Sequence, residues 1–441
     1  MGLGYNSIST LVDIKLANGE TIQVGEEANS EKYIMNVDII EELSYISNNP
    51  LGRVSSNTCD IELYDNSKEL VPNHVGGAYN SLLDNSAKFK VYAKVDGVEE
   101  ALGEYYVTEW EGEQDFSSST VKISGVDLIG YLYDKVIEPI PVNEDTSVEE
   151  YYELLFQAAG LSSGQYSISS ALNQKFKFSV VNGSKFGDII NTVAEGTMTC
   201  VFVDRQGVIR VEDALWSGNK VGNLSGSENV YEGQFKNNGL SDYNGVILKY
   251  NEATKTEESE LLIELKGYKL MKDVEELKGI ESEEAIYCID YVDVQNSNNV
   301  GLTATCSDIE YTQNSIDLTI DRESGQDMIV DIGVYGKKVV ETNCELKHTI
   351  RTDKVDNFLT IDNKLIQSKS YADWYLNKLT SYLEKTKFNL QLKAMCSPAL
   401  KLGDKVDVSI TTANLSGTYK VISNKITLGS GCRCDVTLVA E

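Results

Sequence analysis

Apolar and polar residues alternate one by one along most of this chain, and a period of two points to β-strands rather than helices. The run Thr58-Cys59-Asp60-Ile61-Glu62-Leu63-Tyr64 is a clear case, a half-buried strand that stops at Asp65-Asn66. An apolar stretch at Leu11–Leu16 meets Thr21-Ile22-Gln23-Val24 across Ala17-Asn18-Gly19-Glu20, and Asn-Gly predicts a type I′ hairpin with two positive φ angles. A second hairpin runs from Phe89 to Lys94, turns at Val95-Asp96-Gly97 and returns through Leu102–Trp110. Val121–Ile123 and Gly125–Leu132 follow, so residues 1–137 are expected to form one β-barrel.

The period changes after Pro139 and Pro141. Ser147-Val148-Glu149-Glu150 is a capping box, and the helix it opens carries Val148, Tyr151, Tyr152 and Leu155 on one face and stops at Gly160. A second helix is expected after Ser184, with Phe186, Ile189, Ile190 and Val193 inward and Gly196 as its stop. A hairpin over 200–211 turns at Asp204-Arg205-Gln206-Gly207. These elements make an α/β middle module over 138–227, closed by an exposed joint at Ser225-Gly226-Ser227. Short strands fill 256–345, which has the pattern of an inserted β-sandwich. The last quarter has one amphipathic helix over 368–385, a tight Leu402-Gly403-Asp404 turn, and strands near 405–408, 418–423 and 434–439. Together with 228–255, residues 346–441 make a second barrel. The expected fold class is therefore mainly β: two tube-like β-barrels, an α+β middle module and an inserted β module.

The residue inventory argues against most chemistry. The 441 residues carry a net charge of −29, and only six basic residues are arginines. Such a chain is a poor phosphate binder; the charge reads first as solubility, and as a wall that repels a passing polyanion only if the protein lines a tube. There are two histidines, His74 and His348, and neither has a partner at metal-ligand spacing. Cys432 and Cys434 lack a second half-site, and alternation puts both on one strand face, which suits co-packing. The eight cysteines are irregularly spaced and fit a reducing cytoplasm. Glu41-Glu42 reads as a solvated pair after Ile39-Ile40. Tyr105 and Tyr106 point to opposite faces, so one of them is expected at the surface or at a partner, with Trp110 nearby as a further platform. No apolar run is long enough to span a membrane, and no basic-then-apolar leader opens the chain. No catalytic, cofactor-binding or metal-binding residue set emerges.

Three blocks of the chain resemble phage tail baseplate hub proteins of the late-control-D and contractile-injection type. The first joins Asn49-Pro50-Leu51-Gly52-Arg53 and 59–64 to Leu102–Trp110 and Gly125–Leu128. The second is the middle module with Gly160-Leu161 and Asp204–Gly207, and the third is the C-terminal barrel. The resemblance implies a non-enzymatic structural protein that forms a homotrimer, in which six barrels match a six-fold tail tube above and a three-fold central spike below. It also implies baseplate wedge proteins as partners, a tape-measure protein or DNA in transit through the lumen, no cofactor, and a place in the virion tail baseplate after assembly in the bacterial cytoplasm. Other readings of the residues are a tail-associated cell-wall hydrolase and a sugar-binding surface β-protein.

Overall fold

The computed structural model describes residues 7–25, 32–43, 52–72, 79, 87–114, 119–137, 140–181, 185–226, 229–237, 243–297, 303–322, 328–351, 357–385, 388–395, 398–411, 414–429 and 431–440. His74, Pro139, Ser184, Cys396, Ser227 and the Asn49–Leu51 part of the first block lie outside them.

The N-terminal region holds β1 (Ile8–Lys15), β2 (Thr21–Gly25), β3 (Lys32–Glu42), β4 (Arg53–Val54), β5 (Thr58–Asp65), β6 (Lys88–Val95), β7 (Val98–Gln114), β8 (Ser119–Val126) and α1 (Leu128–Leu132). The middle holds β9 (Glu144–Ser147), α2 (Val148–Ala158), β10 (Tyr166–Ile168), β11 (Lys175–Phe178), α3 (Phe186–Thr197), β12 (Thr199–Val203) and β13 (Ile209–Asp213). Next come β14 (Lys220–Ser225), β15 (Val230–Asn237) and β16 (Gly245–Lys255). The insertion contains β17 (Glu260–Leu270), β18 (Val274–Glu281), β19 (Ile286–Asn296), β20 (Ala304–Tyr311), β21 (Ser315–Arg322) and the long β22 (Met328–Thr349). The chain closes with β23 (Phe358–Asp362), α4 (Lys369–Lys385), β24 (Phe388–Ala394), β25 (Lys405–Ile410), β26 (Leu415–Gly429) and β27 (Gly431–Ala440). The mainly β expectation holds.

One large sheet joins the two ends of the chain. Its strands run β15-β24-β27-β26-β3-β5-β8-β7-β6-β1-β2, and β25 and β14 branch from β26. The link is an antiparallel ladder in which Ser423–Leu428 of β26 pairs with Val37–Glu42 of β3. A single apolar core runs beneath both halves, from Val12, Phe89 and Ile123 to Val406, Cys434 and Leu438. Cys432 and Cys434 are fully buried side by side in it.

Several turns follow from single residues. Asp96 and Gly97 both have positive φ, which gives the I′ turn of the β6–β7 hairpin. At the first hairpin only Gly19 is positive; Gly19 N donates to Leu16 O at 2.9 Å and Leu16 N to Glu20 O at 2.8 Å. That turn is a three-residue loop with a left-handed glycine, not the type I′ turn that Asn18-Gly19 suggests. The Ser147 capping box forms as read: Ser147 Oγ accepts from Glu150 N at 3.1 Å, and Glu150 Oε2 accepts from Ser147 N at 2.8 Å. Helix α3 continues through Gly196 and ends at Met198, whose φ is +51°. Gly196 is there for space, since a Cβ would lie 2.8 Å from Asn363 Oδ1.

One expectation is narrowed and one fails for packing reasons. Of the joint expected at Ser225-Gly226-Ser227, Ser225 ends β14, which pairs in parallel with β25, and Gly226 is exposed. Tyr105 and Tyr106 are both buried, at 2% and 9% exposure. A bulge at Leu102 and the bare Gly103 let Tyr105 fold inward onto Phe89. Tyr106, on the other face, is covered by Tyr131 of α1 stacked at 4.1 Å and by Lys88, whose Nζ lies 4.2 Å from the ring centroid.

Asp127 caps α1 and ties it to the barrel. Its carboxylate accepts from Gly130 N at 3.0 Å, Asn57 N at 2.6 Å and Ser56 Oγ at 3.0 Å. Burial nonetheless pushes its pKa up to about 6, against these donors. Between pH 4 and 6 the folded state therefore holds a proton that the unfolded state has released, and the residue's contribution to stability falls as pH rises through that window. Urea unfolding of the wild type and of Asp127→Asn should show a stability difference that moves by about 3 kcal/mol in the wild type's favour from pH 7 to pH 4. A pH-independent difference would contradict this assignment.

Candidate assembly surface

A buried, fully bonded polar group sits where three regions meet. The β12–β13 turn is tightened by Asp204, whose Oδ1 accepts from Gln206 N at 3.0 Å and Val208 N at 3.1 Å, and by Gly207 at φ +81°. This geometry turns Arg205 inward. Arg205 Nε and Nη2 each donate to a Glu41 carboxylate oxygen at 2.7 Å; Nη2 also donates to Leu400 O at 2.7 Å and Nη1 to Pro398 O. Glu41 and Arg205 are 3% and 5% exposed. Burial alone would lower the Arg205 pKa, and the adjacent Glu41 outweighs it, so the guanidinium stays charged.

Glu41 is thus not the solvated residue its neighbour Glu42 suggests. Alternation held the signal: Glu41 shares a strand face with the buried Ile39, whereas Ile40 is the residue that points out, 38% exposed. Middle module, N-terminal half and C-terminal half are clamped at this one fork. Lys420 Nζ to Trp216 O at 2.8 Å and Gly218 N to Gly403 O at 2.7 Å continue the seam.

The clamp holds eight strands in one register, β7-β8-β5-β3-β26-β27-β24-β15. Rows of residues cross this sheet unbroken from one half to the other. One row reads Glu109, Ser124, Asp60, Asp38, Thr427, Arg433. Another reads Glu42, Ser423, Thr437, Gln391, Gln234. These residues lie on the face away from the core, and polar side chains link them across strands: Ser124 Oγ donates to Asp60 at 2.6 Å and Thr427 Oγ1 to Asp38 at 2.5 Å.

The charge on this face is uneven. The β3–β5–β8–β7 half presents Asp38, Glu42, Asp60, Glu62, Glu109, Glu111 and Glu113 against Lys122. The other half presents Glu232 and Asp435 against Lys393, Lys425 and Arg433.

Both outer strands of the set have an open side. β7 is bent: 98–106 pair with β6 and Val107 N still donates to Ala87 O at 3.1 Å, while 106–114 pair with β8, so over 108–114 it has one ladder partner among the described residues. Among the described residues β15 pairs with β24 alone. Two open edges of about eight residues therefore bound one polar face. Exposed edges of this length invite another strand.

The other sequence candidates do not converge. His348 is an exposed residue of β22, paired with Val246. Among the described residues no group of His, Cys, Asp and Glu is placed to hold a metal ion, and no helix is long and apolar enough to cross a membrane.

No family model matches the sequence, and no curated protein matches it. Solved structures do. The 43 kDa tail protein of prophage MuSo2 from Shewanella oneidensis superposes with a TM-score of 0.56 at 11% identity over 98% of each chain. A tail protein from Neisseria meningitidis MC58 gives 0.54 at 9% identity, over 98% of this chain and 97% of that one. The fold is a phage tail-protein fold. The hub resemblance holds at that level, end to end along the chain.

Removing Glu41 leaves a buried guanidinium with half its partners. Glu41→Ala should cost about 3–5 kcal/mol in urea unfolding, and adding Arg205→Ala should cost less than the sum of the two single changes. Strict additivity would show that the two side chains do not act as one clamp.

Proposed function

We propose that this chain is a non-enzymatic structural subunit of a phage-tail-type baseplate, acting as its hub. Three copies close a ring when the open β7 edge of one subunit pairs with the open β15 edge of the next. Eight strands per subunit then make one continuous barrel of twenty-four, with no edge left open. The observation that carries this reading is the unbroken eight-strand face bounded, among the described residues, by two unpaired edges of similar length.

Residues 1–137 and residues 228–255 with 346–441 would be the two tube-like domains, repeating around the ring as six sectors. Residues 138–227 would brace them from outside, and 256–345 would project as a separate module. Such a ring adapts a six-fold tail tube, or distal tube proteins, to a three-fold central spike, with wedge proteins around it. It belongs in the virion tail baseplate, assembled in the bacterial cytoplasm.

The polar face lines the channel in this arrangement. Three acidic sectors alternate with three nearly neutral ones, and a row of carboxylates repels phosphates in transit. A tape-measure protein would meet the same amide- and hydroxyl-bearing rows.

Light scattering of the purified protein across a concentration series, followed by negative-stain imaging, should show a trimeric mass and a three-fold ring with a central hole. A compact monomer at every concentration, alone and with the tail-tube and spike proteins added, would overturn the proposal. The lumen has its own test. The assembled wild type should not retain double-stranded DNA at moderate salt, whereas Glu109→Lys/Glu111→Lys/Glu113→Lys should retain it. Equal behaviour of the two would place these residues away from the channel.

A further inference from the structure

The inserted module has a surface that the ring does not use. Residues 256–345 hold 21 acidic residues against 7 basic ones, about half of the chain's net charge of −29. The module packs β17-β22-β19 against β18-β21-β20 around Leu277, Ile316, Leu318, Ile320, Val330 and Val334. It meets the rest of the chain through a small apolar joint of Val142, Phe178, Val180, Ala253 and Val339, and through Gln313 Oε1, which accepts from Val181 N at 2.9 Å.

Among the described residues, none outside the module covers the outer face of β17-β22-β19. Leu261, Tyr335 and Tyr291 form one row across its three strands. Leu261 is 46% and Tyr291 52% exposed. The two tyrosine rings stack with centroids 4.7 Å apart and planes 11° from parallel. Gly333 makes this possible: a Cβ there would lie 2.9 Å from the Tyr335 ring, so the bare backbone lets the ring lean across the strand. Glu264 and Asp293 flank Gly333 from the two neighbouring strands. Asp331, two residues before it, accepts from Gly267 N at 2.7 Å. The nearby cations are Lys266, which pairs with Glu264 at 3.0 Å, Lys338, which pairs with Glu260 at 3.0 Å, and Lys337, two residues beyond Tyr335 on the same strand face.

We propose that this Tyr291–Tyr335 face is a docking surface for a positively charged segment of another protein, one that places arginine or lysine on the exposed tyrosine ring. A stacked aromatic pair offers an electron-rich face to a cation, and flanking carboxylates receive its N–H groups. The module's net charge raises the encounter rate with such a partner and repels anionic ones, including nucleic acid and anionic cell-wall polymers. Aromatic residues at the centre of a charged rim are where interface energy concentrates. The inference is independent of ring closure, because the face lies on the insertion and not on the eight-strand sheet.

The test uses the full chain and a fluorescein-labelled hexa-arginine peptide, followed by fluorescence anisotropy. Tyr291→Ala should weaken binding about tenfold; Tyr291→Phe, which keeps the ring, should restore it. Asp293→Lys should weaken it without removing an aromatic, and Tyr131→Ala, exposed on α1, should leave it unchanged. Superimposable thermal melts would show that the variants are folded. Equal affinity of wild type, Tyr291→Ala and Asp293→Lys would overturn the proposal by showing only diffuse attraction to acidic surface. So would salt-independent binding of a neutral chito-oligosaccharide that Tyr291→Ala abolishes, which would make the face a sugar platform.

Discussion

Everything that makes this chain one body rather than two barrels on a string depends on the β3–β26 ladder and the Arg205–Glu41 fork above it. The ladder fixes the register between chain ends nearly four hundred residues apart, as the Thr427–Asp38 bond shows. A slip of one residue would turn every apolar side chain of one half out of the shared core. The fork guards against that slip. Glu41 occupies an inward position of β3 that only a matched cation can tolerate, and Arg205 meets it while also satisfying the carbonyls of Pro398 and Leu400. A buried pair of this kind contributes little net stability compared with apolar packing, but it penalises every arrangement in which its partners are apart.

Much of the fold was legible because local rules and tertiary packing agree. The period-two runs became strands, the Ser147 box opened a helix, and the Gly207 turn formed at the residues that call for it. What was hidden depended on neighbours remote in sequence. Tyr106 is buried because α1 brings Tyr131 and β6 brings Lys88 over it, and Lys220–Ser225 becomes a strand because β25 offers an edge. Glu41 was readable in principle from the alternation of Ile39, Ile40 and Glu41, but its charge suggested water more strongly than its phase suggested the core.

The acidic face of the large sheet was legible in composition and not in place. The net charge suggested a wall that repels polyanions, yet the sequence could not say that carboxylates would collect on β3, β5 and β7 while the paired half stays nearly neutral. Nor could it show that roughly half of the charge sits on an insertion outside the large sheet. These two acidic regions ask different physical questions. One lies on a face bounded by strand edges that have no further ladder partner among the described residues. The other surrounds an exposed aromatic pair, where attraction has something to act on.

Hydrogen exchange followed through assembly tests the central claim most directly. The account predicts that the edge-facing backbone amides in 108–114 and 230–237, those not bonded to β8 or β24, exchange readily in the isolated subunit and become protected together, in one step, when the ring forms. Protection elsewhere with both edges still exchanging freely would contradict it, because the subunits would then have associated without joining their sheets.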